Sequence, residues 1–275
     1  MKGRLWARMC GFGAFAAFAV TAAGGVAWAP ASAMVGGAPP AAGALGRSVV
    51  MILGSSGTAC TATAIARDLL LTAAHCVQPG ADYKLVDRAP GQDPGQMPEL
   101  KTIARIERDP QFDLKRLFGH LATADVALVK PAEPLPARVA PVRMADETAP
   151  VAVGDTLIVA GYGVTVRGDG RTGGTARAAA LVVTGEPGSL QIRLVDPRTR
   201  GESAGLGACA GDSGAPAFRE ANGGLVIIGV VSWSTGPKLG AGCGGLTGLT
   251  PLSRYRAWIV DTARRLGSRI EAILP

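Results

Sequence analysis

Turn-forming residues interrupt this chain more often than a long helix tolerates. Of 275 residues, 39 are Gly and 19 are Pro, together about 21% where ordinary usage gives roughly 12%. Breakers at that density exclude a coiled coil or a helical repeat array. Wholesale disorder is excluded too, because 48% of the residues are apolar and 18% charged, enough to bury a core. Between the breakers lie short β-type runs: Val49 to Leu53, Ala62 to Ile65, Leu69 to Leu71, Asp125 to Val129, Thr156 to Ala160, Ala180 to Val183, Gln191 to Val195 and Leu225 to Val231. Nothing before residue 252 has a sustained helical period. Leu252 to Leu266 does, with Tyr255, Trp258, Ile259, Thr262 and Leu266 three or four apart. The body is therefore expected to be all-β with a C-terminal α-helix. A Pro-rich stretch from Lys130 to Gly154 cannot form a central strand and reads as a linker between two β-rich halves.

The first 33 residues have the pattern of an export signal. Lys2, Arg4 and Arg8 form a positive start, Met9 to Ala29 carry no charge, and Ala31-Ser32-Ala33 supplies the small residues of a cleavage site. An uncleaved anchor is the competing reading, but the Ala and Gly content makes the run weakly hydrophobic for a stable span. Cys10 precedes the apolar run, the wrong place for a lipid-attachment cysteine. After residue 33 four cysteines remain: Cys60, Cys76, Cys209 and Cys243. In an exported chain an even count reads as two disulfides, with three connectivities open.

Charge and histidine content narrow the function. Three of the 28 basic residues leave with the signal, so 25 basic against 21 acidic residues give a surplus of +4. A scattered excess of that size is solubility, not a nucleic-acid face. The basic run Arg264 to Arg269 reads as the polar side of the terminal helix. With only His75 and His120 in the chain, an imidazole-rich zinc site is not expected. No clustered carboxylates between Asp82 and Glu99 suggest a calcium loop, so neither metal nor cofactor is expected. Any histidine base must be one of the two, and His120 reads as a loop residue without a role.

Three short motifs carry chemistry: Leu71-Thr72-Ala73-Ala74-His75-Cys76, Asp125-Val126-Ala127-Leu128-Val129 and Gly211-Asp212-Ser213-Gly214-Ala215-Pro216. A serine hydroxyl becomes an effective nucleophile when a histidine takes its proton. That imidazole needs a carboxylate to hold its tautomer and stabilise the imidazolium. Glycine beside the serine lets the backbone present the N–H groups of Gly211 and Ser213 to a developing oxyanion.

In the order His, Asp, Ser these motifs resemble the chymotrypsin-like (trypsin fold) serine endopeptidases, as do Met34-Val35-Gly36-Gly37, Val231-Ser232-Trp233 and the helix around Tyr255 to Ile259. The resemblance is to a secreted member of bacterial type. It implies two six-stranded antiparallel β-barrels with the active site between them, here expected over residues 34–145 and 146–275. It also implies His75 as general base, Asp125 as its orienting partner and Ser213 as nucleophile, with Cys60 bridged to Cys76 and Cys209 to Cys243. In the family a new N-terminus pairs its α-ammonium with the Asp before the nucleophile. That pair would be Met34 and Asp212 here, and with Ala33 where an activating basic residue usually stands, signal cleavage itself would create it.

Substrate preference follows from the same resemblance. Gly207, followed by Ala208, stands where trypsin-like members carry an Asp that binds basic side chains, so cleavage after Arg or Lys loses its electrostatic support. The pocket walls would be Ser232, Trp233 and Ser234 on one side and the segment Gly244 to Thr250, with Thr247, on the other. Ser234 and Thr247 replace commoner glycines and would narrow the pocket towards small or medium uncharged residues. The expected partners are protein or peptide substrates, with no nucleic acid and no stable membrane insertion once the signal is gone. The expected state is a monomer in the periplasm or outside the cell, with activity that falls in acid as His75 takes a proton. The loop Val166 to Ala178, rich in Gly and Arg, reads as a connector. Two other classes account for less of the sequence. A binding protein that has abandoned catalysis would not need an intact triad, and an α/β-hydrolase esterase would need a Gly-x-Ser-x-Gly elbow and a different triad order.

Overall fold

The computed structural model describes residues 34–87, 97–119, 121–145, 150–221 and 223–270. The export segment with Cys10, most of the stretch between Asp82 and Glu99, and His120 lie outside the described residues.

Six strands close the first barrel: β1 (Val49–Gly54), β2 (Ala59–Ala66), β3 (Leu69–Thr72), β4 (Tyr83–Asp87), β5 (Glu99–Arg108) and β6 (Ala127–Pro131), ordered β1-β2-β3-β6-β5-β4 and antiparallel throughout. The second barrel closes in the order β11-β8-β9-β10-β13-β12. Its strands are β8 (Thr156–Gly161), β9 (Arg177–Thr184), β10 (Ile192–Val195), β11 (Pro216–Ala221), β12 (Gly224–Ser234) and β13 (Thr247–Pro251), with β12 returning to β11. One short strand, β7 (Arg143–Met144), is added to the outside of β12 in parallel. The linker read from the prolines is thus partly structured. Leu135 and Val139, 4% and 5% exposed, are buried against the first barrel, and β7 serves the second.

Apolar side chains separate into three layers by strand alternation. Val50, Ile52, Ala62, Leu70, Leu85 and Val129 fill the first barrel. Leu157, Val159, Leu181, Leu194, Ile228 and Leu249 fill the second. A third layer takes the opposite faces of the same strands, with Leu69, Leu71, Val126 and Leu128 meeting Phe218, Ile227 and Val230 between the barrels. This explains why Leu69-Leu70-Leu71 is an unbroken apolar run, since all three side chains are fully buried on one face or the other.

The C-terminal helix caps the middle layer. A 3₁₀ turn at Ser253–Tyr255 leads into a helix at Arg256–Arg265 that buries Tyr255, Ile259 and Ala263 there. Gly267 ends it in a left-handed conformation, with its N–H on the Arg264 carbonyl and that of Ser268 on Ala263. Lys130 Nζ then joins the helix end to the first barrel, reaching Asp68 Oδ2 at 2.7 Å and Ser268 Oγ at 2.9 Å. The sequence pattern shows this helix but not two shorter ones, Gly43–Ser48 and Leu114–Phe118. The second begins on Asp113, whose carboxylate accepts from the N–H groups of Lys115 and Arg116. Among the described residues no helix is long and apolar enough to cross a membrane.

Residues 34–41 lie on the second barrel although they precede the first. Met34 and Ala38 pack among its core residues, and Val35 and Pro40 bridge to Gly207 and Arg177. Gly36 adopts φ +89°, and a side chain there would run into the Gly205 backbone.

Candidate active site

His75 lies in the 3₁₀ turn Ala74–Val77 that follows β3, and Asp125 lies two residues before β6. Since β3 and β6 are hydrogen-bonded neighbours, residues 50 apart in sequence meet at the same barrel end. Asp125 is fully buried and holds His75 twice, accepting the backbone N–H through Oδ1 at 2.9 Å and facing Nδ1 through Oδ2 at 2.7 Å. Ser232 adds a third bond, its hydroxyl donating to Asp125 Oδ2 at 2.5 Å. Three donors on a buried carboxylate compensate its lost hydration. The imidazole is 20% exposed.

Ser213 reaches the same place by another route. Its carbonyl accepts from Thr61 N at 2.9 Å. Thr61 follows Cys60, which is bridged to Cys76, the neighbour of His75. From the other side, Gly214 N donates to Val231 O, one residue before Ser232. Gly214 could carry no side chain, because a Cβ there would collide with Thr72 Oγ1 and the Thr61 carbonyl. No hydrogen bond joins the Ser213 hydroxyl to His75 among the described residues, and such contacts commonly tighten when substrate binds.

Gly211 sits at φ +96° with Gly163 against it, a conformation that L side chains rarely adopt. Between Gly211 and Ser213, Asp212 is fully buried and turned inward. Its carboxylate accepts from Cys209 N at 2.9 Å and Gly163 N at 2.8 Å, yet burial pushes its pKa up to about 7. Side chains at Gly161 or Gly163 would enter the space of that carboxylate.

The residues expected to line a pocket come together. Ser234 faces Thr247 across the β12–β13 ladder, and Trp233 faces Gly248, where a side chain would strike the indole. Thr247 is fully buried and accepts from Ala208 N at 3.0 Å. Gly207, beside it, bridges to Val35, and Cys209 is bridged to Cys243. The sequence places Ser232 only on the pocket wall and gives no sign of the roles of Thr61, Thr72 or the two glycines facing Asp212. Cys60, His75 and Cys76 bring metal-ligating atoms within 4.8 Å of one another, but the disulfide consumes both thiolates, so the trio does not suit a metal ion.

A family model described as Trypsin matches residues 34–259. A trypsin from Sarcophaga bullata is 27% identical over 232 residues, covering 75% of this chain and 80% of that protein. Among solved structures, human heparin binding protein gives a TM-score of 0.64 at 24% identity, covering 82% of this chain and 96% of that one, a likeness of fold.

Proposed function

This chain belongs to the trypsin family, whose members hydrolyse peptide bonds, and we propose that it acts as an exported serine endopeptidase of bacterial type through His75, Asp125 and Ser213. Support comes first from the double hold of Asp125 on His75, reinforced by Ser232, beside a nucleophile loop whose glycines cannot be replaced.

In this reading Ser213 Oγ attacks the scissile carbonyl carbon while its proton passes to His75 Nε2. Asp125 holds Nδ1–H and stabilises the imidazolium. The oxyanion accepts from the N–H groups of Gly211 and Ser213. Collapse breaks the C–N bond, and the departing amine takes the proton from Nε2. Water then attacks the acyl-enzyme, gives its proton to Nε2, and the acid leaves as Ser213 regains its hydrogen.

Asp212 favours an activation step at Met34. A carboxylate buried with two N–H donors and, among the described residues, no cation beside it is under-compensated. An α-ammonium released at Met34, which is fully buried on the same barrel, would neutralise it and hold Gly211 to Ser213 in place. Cleavage after Ala33 by signal peptidase would supply that group. For specificity, an uncharged pocket base at Gly207 and Ala208 with Ser234 opposite Thr247 favours small or medium uncharged residues before the scissile bond.

One sample tests these points together. The secreted protein should begin at Met34 by Edman sequencing and react with a fluorophosphonate probe in a manner lost in Ser213→Ala. A peptide library should be cut after small or medium uncharged residues. No labelling at Ser213 overturns the enzyme reading, a different first residue overturns the activation reading, and preference for Arg or Lys overturns the pocket reading.

A further inference from the structure

Gly211 has no side chain to hold it, so its two flanking peptides must be fixed from outside. The peptide before it is held where Val164 N donates to the Ala210 carbonyl at 2.8 Å, and that peptide carries the Gly211 N–H. The peptide after it is held by a residue of the other barrel, as Thr61 Oγ1 donates to the Gly211 carbonyl at 2.8 Å. The same oxygen accepts from Tyr162 N at 3.0 Å, two residues before Val164. Thr61 is fully buried, its one hydroxyl proton is committed, and its backbone holds Ser213 through N and Thr72 through O. The hydroxyl is therefore the junction of both segments that orient Gly211.

We propose that Thr61 is a positioning residue for the oxyanion site, its hydroxyl shared between Tyr162 and Gly211 so that the Gly211 N–H is aimed at the developing charge. This rests on the reading of Ser213 as nucleophile. The hydroxyl acts through Gly211 and touches no substrate, so its loss should lower turnover without weakening binding of the ground state.

Thr61→Val keeps the shape and removes the hydroxyl, whereas Thr61→Ser keeps the hydroxyl. In the mature full chain Thr61→Val should lower kcat about 10- to 100-fold, less than the roughly 10²- to 10³-fold of deleting an oxyanion donor outright, with KM within about twofold. Fluorophosphonate labelling should slow in parallel, and Thr61→Ser should restore kcat to within about threefold. If the valine variant does not fold, Thr61→Ala replaces it. A hydroxyl-free variant with unchanged kcat, or a serine variant as slow as it, overturns the proposal. Crystal structures of the parent and both variants provide a readout independent of activity. The Gly211 peptide should rotate without the hydroxyl and stay with serine, and an unmoved peptide overturns the proposal. A parent that neither cleaves peptides nor labels at Ser213 instead overturns the endopeptidase reading, leaving the crystal comparison to judge Thr61.

Discussion

The Asp212 carboxylate, buried among N–H donors, ties folding to pH. An ordinary Asp in the unfolded chain releases its proton near pH 4, whereas Asp212 in the fold keeps it to about 7. Between those values the native state binds the extra proton, so stability falls as pH rises and levels off above pH 7. The difference is on the order of 4 kcal/mol. A Ser213→Ala chain that retains residues before Met34 should thus be more stable to urea at pH 4.5 than at 7.5, by a margin that shrinks in Asp212→Asn. Equal margins in the two chains would refute the assignment. A free Met34 ammonium would favour the charged carboxylate and diminish that fall. Close packing around the same carboxylate gives a second contrast. Gly163→Ala would push a methyl into it and should cost about 1–3 kcal/mol, with activity lost as the loop shifts. Gly170→Ala meets open space and should stay within about 0.5 kcal/mol. Urea melts of the two variants check both values.

Among elements, the terminal helix makes the sharpest test. Ile259 is fully buried between the barrels, so Ile259→Ala should cost about 2–5 kcal/mol while kcat well below the melting temperature stays near the parent value. A large loss of kcat with unchanged stability would contradict that purely packing role. This helix was legible in the sequence because one apolar stripe recurs at helical spacing. Strands rich in branched residues were legible too, although Asp125 proved to lie just before β6. Other strands were hidden by their composition. β5 carries Glu99, Lys101, Arg105, Glu107 and Arg108, and none of its residues is fully buried. β11 opens on Pro216, β13 closes on Pro251 and β7 is two residues long. At the site, His75, Asp125 and Ser213 were legible because each lies in a compact motif. Thr61 was not, because its partners are 101 and 150 positions away and a threonine in a strand gives no local sign of them.

On the scale of the molecule, the apolar layer between the barrels decides how the fold comes apart. Neither barrel can shed the other without exposing Leu69, Leu71, Leu128, Phe218 and Ile227, a cost no lone barrel recovers. With both disulfides intact, calorimetry should therefore give one transition whose calorimetric and van 't Hoff enthalpies agree. Two resolved peaks would show that the barrels melt separately. A strand such as β3, apolar on both sides, also leaves no soft seam along which the halves could swing. The hold of Asp125 on His75, built between β3 and β6 at that seam, is in that sense fixed before any substrate arrives. In the proposed reading, selection for a new cleavage preference would then act on the loops bearing Gly207 and Cys243, since the barrels themselves have no second setting to offer.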